Sequence, residues 1–149
     1  QELHAVNDFF FGQRTHASAR YTISYRGKYE YQSSSGIIVS TGMGATGWLS
    51  SVVTGSALLN KGSSHIPVEK MQWDSPYLWF VVREPYPYGD AGATMTYGKI
   101  DQRHPLNIES GMPVNGVIFS DGIENDYLEF NSGMKASISL ATRKGRMLN

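Results

Sequence analysis

The sequence contains no cysteine, which excludes disulfide frameworks, thiolate metal sites and cysteine nucleophiles. Charge is sparse, at 17% Asp, Glu, Lys and Arg, against roughly 25% in soluble domains generally. Neither sign dominates, since 13 basic residues stand against 13 acidic ones. A general nucleic-acid or anionic-membrane binder needs a basic surplus, so neither partner is expected. No apolar run approaches the roughly 20 residues of a bilayer-spanning helix. The opening residues lack the charged, apolar and small-residue layout of a secretory signal. The chain starts at Gln1 rather than Met, so we expect a fragment of a longer protein or a processed N-terminus.

What is present points to strands and tight turns. There are 149 residues, enough for one domain with a real core, and they include 16 Gly and 9 Tyr. Leu3–Phe11 is strand-like, with Asn7 and Asp8 interrupting two apolar stretches. Ser18–Tyr25 alternates Ala19, Tyr21, Ile23 and Tyr25 with polar residues, the period of a strand with two unlike faces. Arg26-Gly27-Lys28 reads as a hairpin turn and Tyr29–Gln32 as the return strand. Gly36–Thr41 and Tyr77–Val82 read as buried strands, and Glu84–Thr94, with its Pro and Gly, as a loop. Further strands are expected at Met95–Ile100, Pro105–Ile108, Gly116–Ser120, Tyr127–Phe130 and Lys135–Ala141, with turns at Asp121-Gly122 and Asn131-Ser132-Gly133. Trp48, Leu49, Val52, Val53, Ala57 and Leu59 recur at helical spacing, predicting one long helix to about Asn60, ended by Lys61–Ser64 with Gly62 as its cap. The fold class is therefore mainly β: an antiparallel sandwich with one helix inserted after the third or fourth strand, spanning 1–149 as a single domain.

The most informative segment runs from Ser33 to Trp48. A β-branched run stops at Gly42-Met43-Gly44-Ala45-Thr46-Gly47 and gives way to the helical pattern. A glycine turn at a helix N-terminus exposes backbone N–H groups and lets a ligand approach the main chain, while Ser40, Thr41 and Thr46 add hydroxyls. The plain alternative is a strand-to-helix connection whose glycines only solve a tight turn. The segment is no Walker A motif, because no Gly-Lys-Ser/Thr ends it, and its Gly-x-Gly-x-x-Gly match has no βαβ unit around it. Asn7 and Asp8 could grip a ribose diol, or could simply break a strand end. Asp121, Glu124, Asn125, Asp126 and Glu129 could hold Ca²⁺ but lack EF-hand spacing, so an acidic hairpin tip is preferred. His4, His16, His65 and His104 show no zinc spacing, and no Gly-x-Ser-x-Gly supports a serine nucleophile. Arg143, Lys144 and Arg146 form a small basic tail that is either solvated or able to meet a phosphate.

Taken in order, these segments resemble the C-terminal domain of the NAD kinases. That family carries Asn-Glu near the domain start, then Gly-Asp-Gly, an apolar run and Ser-Thr-Pro-Thr-Gly-Ser-Thr-Ala-Tyr. Here Asn7, Ser40, Thr41, Gly44 and Thr46 match directly. Asp8 replaces Glu, Ser35 replaces the Gly-Asp-Gly aspartate, Gly42 replaces Pro, Gly47 replaces Ala and Trp48 replaces Tyr. The divergent, mitochondrial-type NAD kinases are a closer likeness, through Ser34-Ser35-Gly36, Thr41-Gly42-Met43-Gly44, Trp48, Arg83-Glu84-Pro85, Asp121-Gly122 and Glu129-Phe130-Asn131 followed by Gly133.

The resemblance implies a dinucleotide site built from Asn7, Asp8, Ser35, Thr41, Gly42, Gly44, Thr46 and Trp48. Asn7 and Asp8 would orient ribose hydroxyls, and the Thr41–Thr46 turn would line the adenine and ribose. It implies NAD as substrate, ATP as phosphoryl donor with Mg²⁺, and transfer to the adenosine 2′-hydroxyl to give NADP. The family's Gly-Gly-Asp-Gly-Thr motif, credited with phosphate binding and the catalytic Asp, is not among these residues. The fragment should therefore bind dinucleotide but not catalyse, with the missing N-terminal α/β domain as its partner. A homodimer or homotetramer is implied, in the cytoplasm or alternatively the mitochondrion. Two rivals stand beside this: a kinase-like relative acting on another hydroxylated substrate such as a sugar, and a non-catalytic all-β carbohydrate-binding module.

Overall fold

In the computed structural model, residues 1–59 and 71–143 are described. Their strands form two antiparallel sheets. The first has six strands in the order β6-β5-β4-β1-β8-β9, and the second four in the order β10-β7-β2-β3. In chain order these are β1 Asp8–Gln13, β2 Ala19–Tyr25, β3 Lys28–Ser34, β4 Ile37–Ser40, β5 Leu78–Val82, β6 Tyr97–Ile100, β7 Leu106–Ser110, β8 Gly116–Ser120, β9 Tyr127–Glu129 and β10 Lys135–Ile138. A 3-10 turn, Gly44–Thr46, and the helix α1, Trp48–Leu59, follow β4. The expected β-sandwich with one inserted helix is what forms.

Alternation explains the sandwich. Ala19, Tyr21 and Ile23 of β2 point inward and meet Phe11, Ile37, Val39 and Phe80 from the six-stranded sheet. Arg26 (φ 52°) and Gly27 (φ 75°) make the two-residue hairpin that sets Tyr25 opposite Lys28. β3 runs longer than expected, because Ser33 and Ser34 go on pairing with Arg20 and Ala19.

The central strands of the six-stranded sheet are buried on both faces, which accounts for the run Phe9-Phe10-Phe11. Phe9 and Phe11 face the sandwich, whereas Phe10 joins Ile38, Val81, Val117 and Phe119 on the outer face under Leu49 of α1. Phe10 stacks on Phe119 at 5.0 Å and on Trp48 at 5.5 Å. α1 thus forms a third layer, beginning where expected; Asn60 and the Lys61–Ser64 cap lie outside the described residues.

One expectation is corrected. The first strand does not reach back to Leu3: it starts at Asp8, so Asn7 and Asp8 lead into β1 rather than interrupt it. As expected, the Gly-x-Gly-x-x-Gly segment belongs to no Rossmann unit, because β4 and β5, the strands flanking α1, pair directly and antiparallel. The loop after β5 has no regular structure, as expected, and covers the exposed edge of β3. Tyr86 N–H donates to Ser33 O and Gly92 N–H to Tyr31 O, both at 2.8 Å. Among the described residues, no helix is long and apolar enough to cross a membrane.

Candidate functional site

The glycine turn folds back onto the entry of β1. Thr41 N–H donates to Asn7 O at 2.9 Å. The Thr41 hydroxyl lies 2.6 Å from Val6 O and 3.1 Å from Asn7 O, and accepts from Gly44 N–H at 3.2 Å. A hydroxyl has one proton and two lone pairs, so Thr41 spends its donor on the main chain and keeps one lone pair. The two glycines are dictated by contact: a Cβ on Gly44 would run into the Asn7 carbonyl, and one on Gly42 into the Gln72 carbonyl. Gly47 N–H is taken by Gly44 O at 2.9 Å. The N–H groups of Thr41, Gly44, Ala45 and Gly47 are therefore satisfied internally, which leaves the turn fewer free donors than its glycines suggest.

Asp121 holds the same segment from the other side. Its backbone sits in the left-handed region (φ 54°) at the end of β8. Its carboxylate accepts from Val6 N–H at 3.0 Å, Asn7 N–H at 2.6 Å and Asp8 N–H at 3.2 Å, while its own N–H donates to Asp8 O at 2.9 Å. Sequence reasoning placed Asp121 in the acidic hairpin tip and missed this role. The Asp-Gly turn was visible, but its partner lies 114 residues earlier. Among the described residues, no group of three or more His, Asp or Glu is placed to hold a metal ion.

Asp8 is buried, and by alternation it shares the outer face with Phe10. Burial first, and then the neighbouring Asp121 charge, pushes its carboxyl above the usual carboxylate range.

Beside the turn opens a cleft of about 240 Å³, lined among others by Val6, Thr41, Gly42, Met43, Trp73 and Arg143. Trp73 offers a half-exposed indole and Arg143 a cation, a pairing suited to a base and a phosphate. Of the eight candidates, Thr41 and Gly42 line this cleft. Asn7 flanks it with an exposed side chain, its backbone tied to Thr41, and Gly44 packs on Asn7. Thr46 is exposed on the 3-10 turn. Trp48 is engaged elsewhere, stacked over Phe10 with the Arg83 guanidinium 5.4 Å from its ring. Ser35 stands at the opposite end of β4, where its N–H donates to Arg83 O at 2.9 Å. Five residues, four of them the extended strand β4, separate it from Thr41. Val6 and Trp73 were not singled out from the sequence, since nothing local marks them.

This mainly β architecture, two antiparallel sheets with one inserted helix, matches the fold of the C-terminal domain of NAD kinases. Two solved structures carry the likeness. An NAD kinase from Archaeoglobus fulgidus, in complex with ATP, superposes with a TM-score of 0.63 at 14% identity, over 93% of this chain and 46% of that one. Yeast NADH kinase complexed with NADH gives 0.56 at 17% identity, over 90% of this chain and 33% of that one. The chain thus spans less than half the length of either. No protein-family model and no curated protein matches it in sequence.

Proposed function

We propose that the chain is the nucleotide-binding domain of an NAD kinase-like enzyme, with the adenosine half of a dinucleotide seated at the Thr41–Met43 turn. The observation that carries this reading is the lock between the turn and Asn7: Thr41 pins the Asn7 backbone while the Asn7 amide stays exposed beside the cleft. Fixing a ribose matters here because phosphoryl transfer depends chiefly on positioning and charge neutralisation. In this reading Asn7 binds ribose hydroxyls, the Gly42 backbone and Trp73 flank the base, and Arg143 meets a phosphate. Thr41, Gly44 and Asp121 act by positioning.

The complete enzyme would move the γ-phosphoryl of ATP onto the adenosine 2′-hydroxyl of NAD, releasing ADP and NADP. Mg²⁺ would neutralise charge on the donor phosphates, and donor binding would fall to an N-terminal α/β domain. Assembly as a homo-oligomer belongs to the same proposal. It gives Ser35, remote from the cleft in its own subunit, a route to ligand contact.

Calorimetric titration with NAD, NADP and ATP tests it, using wild type, Asn7→Ala and Thr46→Ala. Saturable dinucleotide binding weakened by Asn7→Ala supports the reading. Dinucleotide binding indifferent to Asn7 moves the site elsewhere. No binding by folded chain, repeated in the parent protein, refutes the reading and returns the carbohydrate module to consideration.

A further inference from the structure

At another corner of the sandwich, the β2–β3 hairpin and the β6–β7 connection bring basic groups together. Arg26, Lys28, Arg103 and His104 surround an open hollow of about 530 Å³, with Tyr25 and Tyr29 in its walls. None of its lining residues lines the cleft beside Thr41.

Three features set this hollow apart from an ordinary charged surface. First, no Asp or Glu lines it, although the chain as a whole carries equal numbers of acids and bases. Asp101, next to it in sequence, is committed: its carboxylate accepts from Arg103 N–H at 2.9 Å, His104 N–H at 3.0 Å and His104 Nδ1 at 2.9 Å. Second, Arg26, Lys28 and Arg103 make no ion pair among the described residues, in which the Lys or Arg pair present is Lys135 with Glu109. Third, Arg26 and His104 are held in place. Arg26 lies 5.3 Å over the Tyr25 ring, whose hydroxyl is fixed to Lys99 O at 2.5 Å, and the bond to Asp101 fixes the His104 ring.

We propose that this hollow is an anion site for a chain of two or more phosphoryl groups. Three cations spread around so wide an opening match a distributed charge better than a single phosphate. The chain could be inorganic or the tail of a nucleoside triphosphate. Tyr29, 80% exposed at the rim, is the surface on which a base would stack.

Titration with inorganic tripolyphosphate and with ATP tests the proposal, on wild type, the double variant Lys28→Gln/Arg103→Gln, and Arg20→Gln/Lys135→Gln, which removes two cations elsewhere. Circular dichroism and thermal melting check that each is folded. The expected result is saturable tripolyphosphate binding, weakened about ten-fold or more in the first double variant, unchanged in the second, and falling as sodium chloride is added. ATP binding no better than tripolyphosphate assigns the site to the phosphate chain alone. Tighter ATP binding that reverts in Tyr29→Ala assigns it to a nucleotide tail. Absence of saturable binding, or equal binding by the two double variants, overturns the proposal. NAD binding at the Thr41 cleft should survive Lys28→Gln/Arg103→Gln, which keeps the two sites separable.

Discussion

The Asp121 carboxylate lies 2.6 Å from the Asn7 N–H and gathers the Val6 and Asp8 N–H groups as well. One side chain at the end of β8 thereby sets the path on which β1 enters the sheet and on which Asn7 is presented. Replacing Asp121 by Ala removes the acceptor for three N–H groups and leaves a Cβ at φ 54° without local support. A loss of about 1–2 kcal/mol in denaturant unfolding is expected, since the freed groups can partly rehydrate. Asp121→Asn should recover part of it. Nucleotide affinity should fall alongside stability if Asn7 contacts the ligand.

The Thr41 hydroxyl closes the same site from the turn. Thr41→Val keeps the shape but leaves Val6 O and Gly44 N–H without that partner. The expected cost is about 1–2 kcal/mol by chemical denaturation. Thr41→Ser should restore most of it, an outcome that a purely steric role would not produce.

Gly44 and Gly55 should respond to alanine with opposite signs. A Cβ at Gly44 meets the Asn7 carbonyl, whereas one at Gly55 meets nothing within 4 Å. Gly44→Ala is expected to destabilise by about 1–3 kcal/mol through overpacking. Gly55→Ala, inside the exposed helix, is expected to stabilise by about 0.5–1 kcal/mol through backbone entropy. Paired melting curves decide this.

Glu30 ties the β5–β6 loop to β3. Burial works to raise its pKa. Hydrogen bonds from Thr94, Gln32 and the Met95 and Thr94 N–H groups outweigh that and hold it down at about 2, against an ordinary 4.5. A depressed carboxyl stabilises the fold above its unfolded value and loses that contribution as pH falls. The stability difference between wild type and Glu30→Gln should therefore be full above about pH 4.5 and shrink as pH falls from there toward 2. A constant difference across that range would remove the charge from the account.

Asp8 has the reverse sign. Its pKa is raised from 3.8, so its favourable contribution is complete below that value and is lost as pH rises through the raised one. Asp8→Asn should raise the unfolding midpoint at pH 7 and change it little near pH 3. A lower midpoint at pH 7 would mean that the charged carboxylate has a partner that stabilises it.

Much of this fold could be read in the sequence because its signals are local. The Ser18–Tyr25 alternation, the Arg26-Gly27 hairpin and the helix beginning at Trp48 each depend on spacing within a few residues, and each appears in the structure. The three consecutive phenylalanines were harder. A strand buried on both faces has no alternation to display, and the start of β1 at Asp8 depends on its pairing with Ser40.

The candidate site divides along the same line. Asn7 and the Thr41–Gly44 turn stand out as residue types at a spacing, and so does the need for glycine where chains approach closely. Their use does not. Whether the Thr41 hydroxyl faces a ligand or the backbone, whether Asp121 sits on an acidic tip or clamps Asn7, and whether Trp48 forms a pocket wall or a stacked core residue all depend on contacts between distant segments. Ser35 and Thr41 are near neighbours in sequence, yet β4 puts them at its two ends. By itself the sequence determined which residues turn, alternate and offer donors. Only the tertiary structure decided which donors are already spent, because a hydrogen bond is settled by distances of a few tenths of an ångström between strands that folding alone brings together.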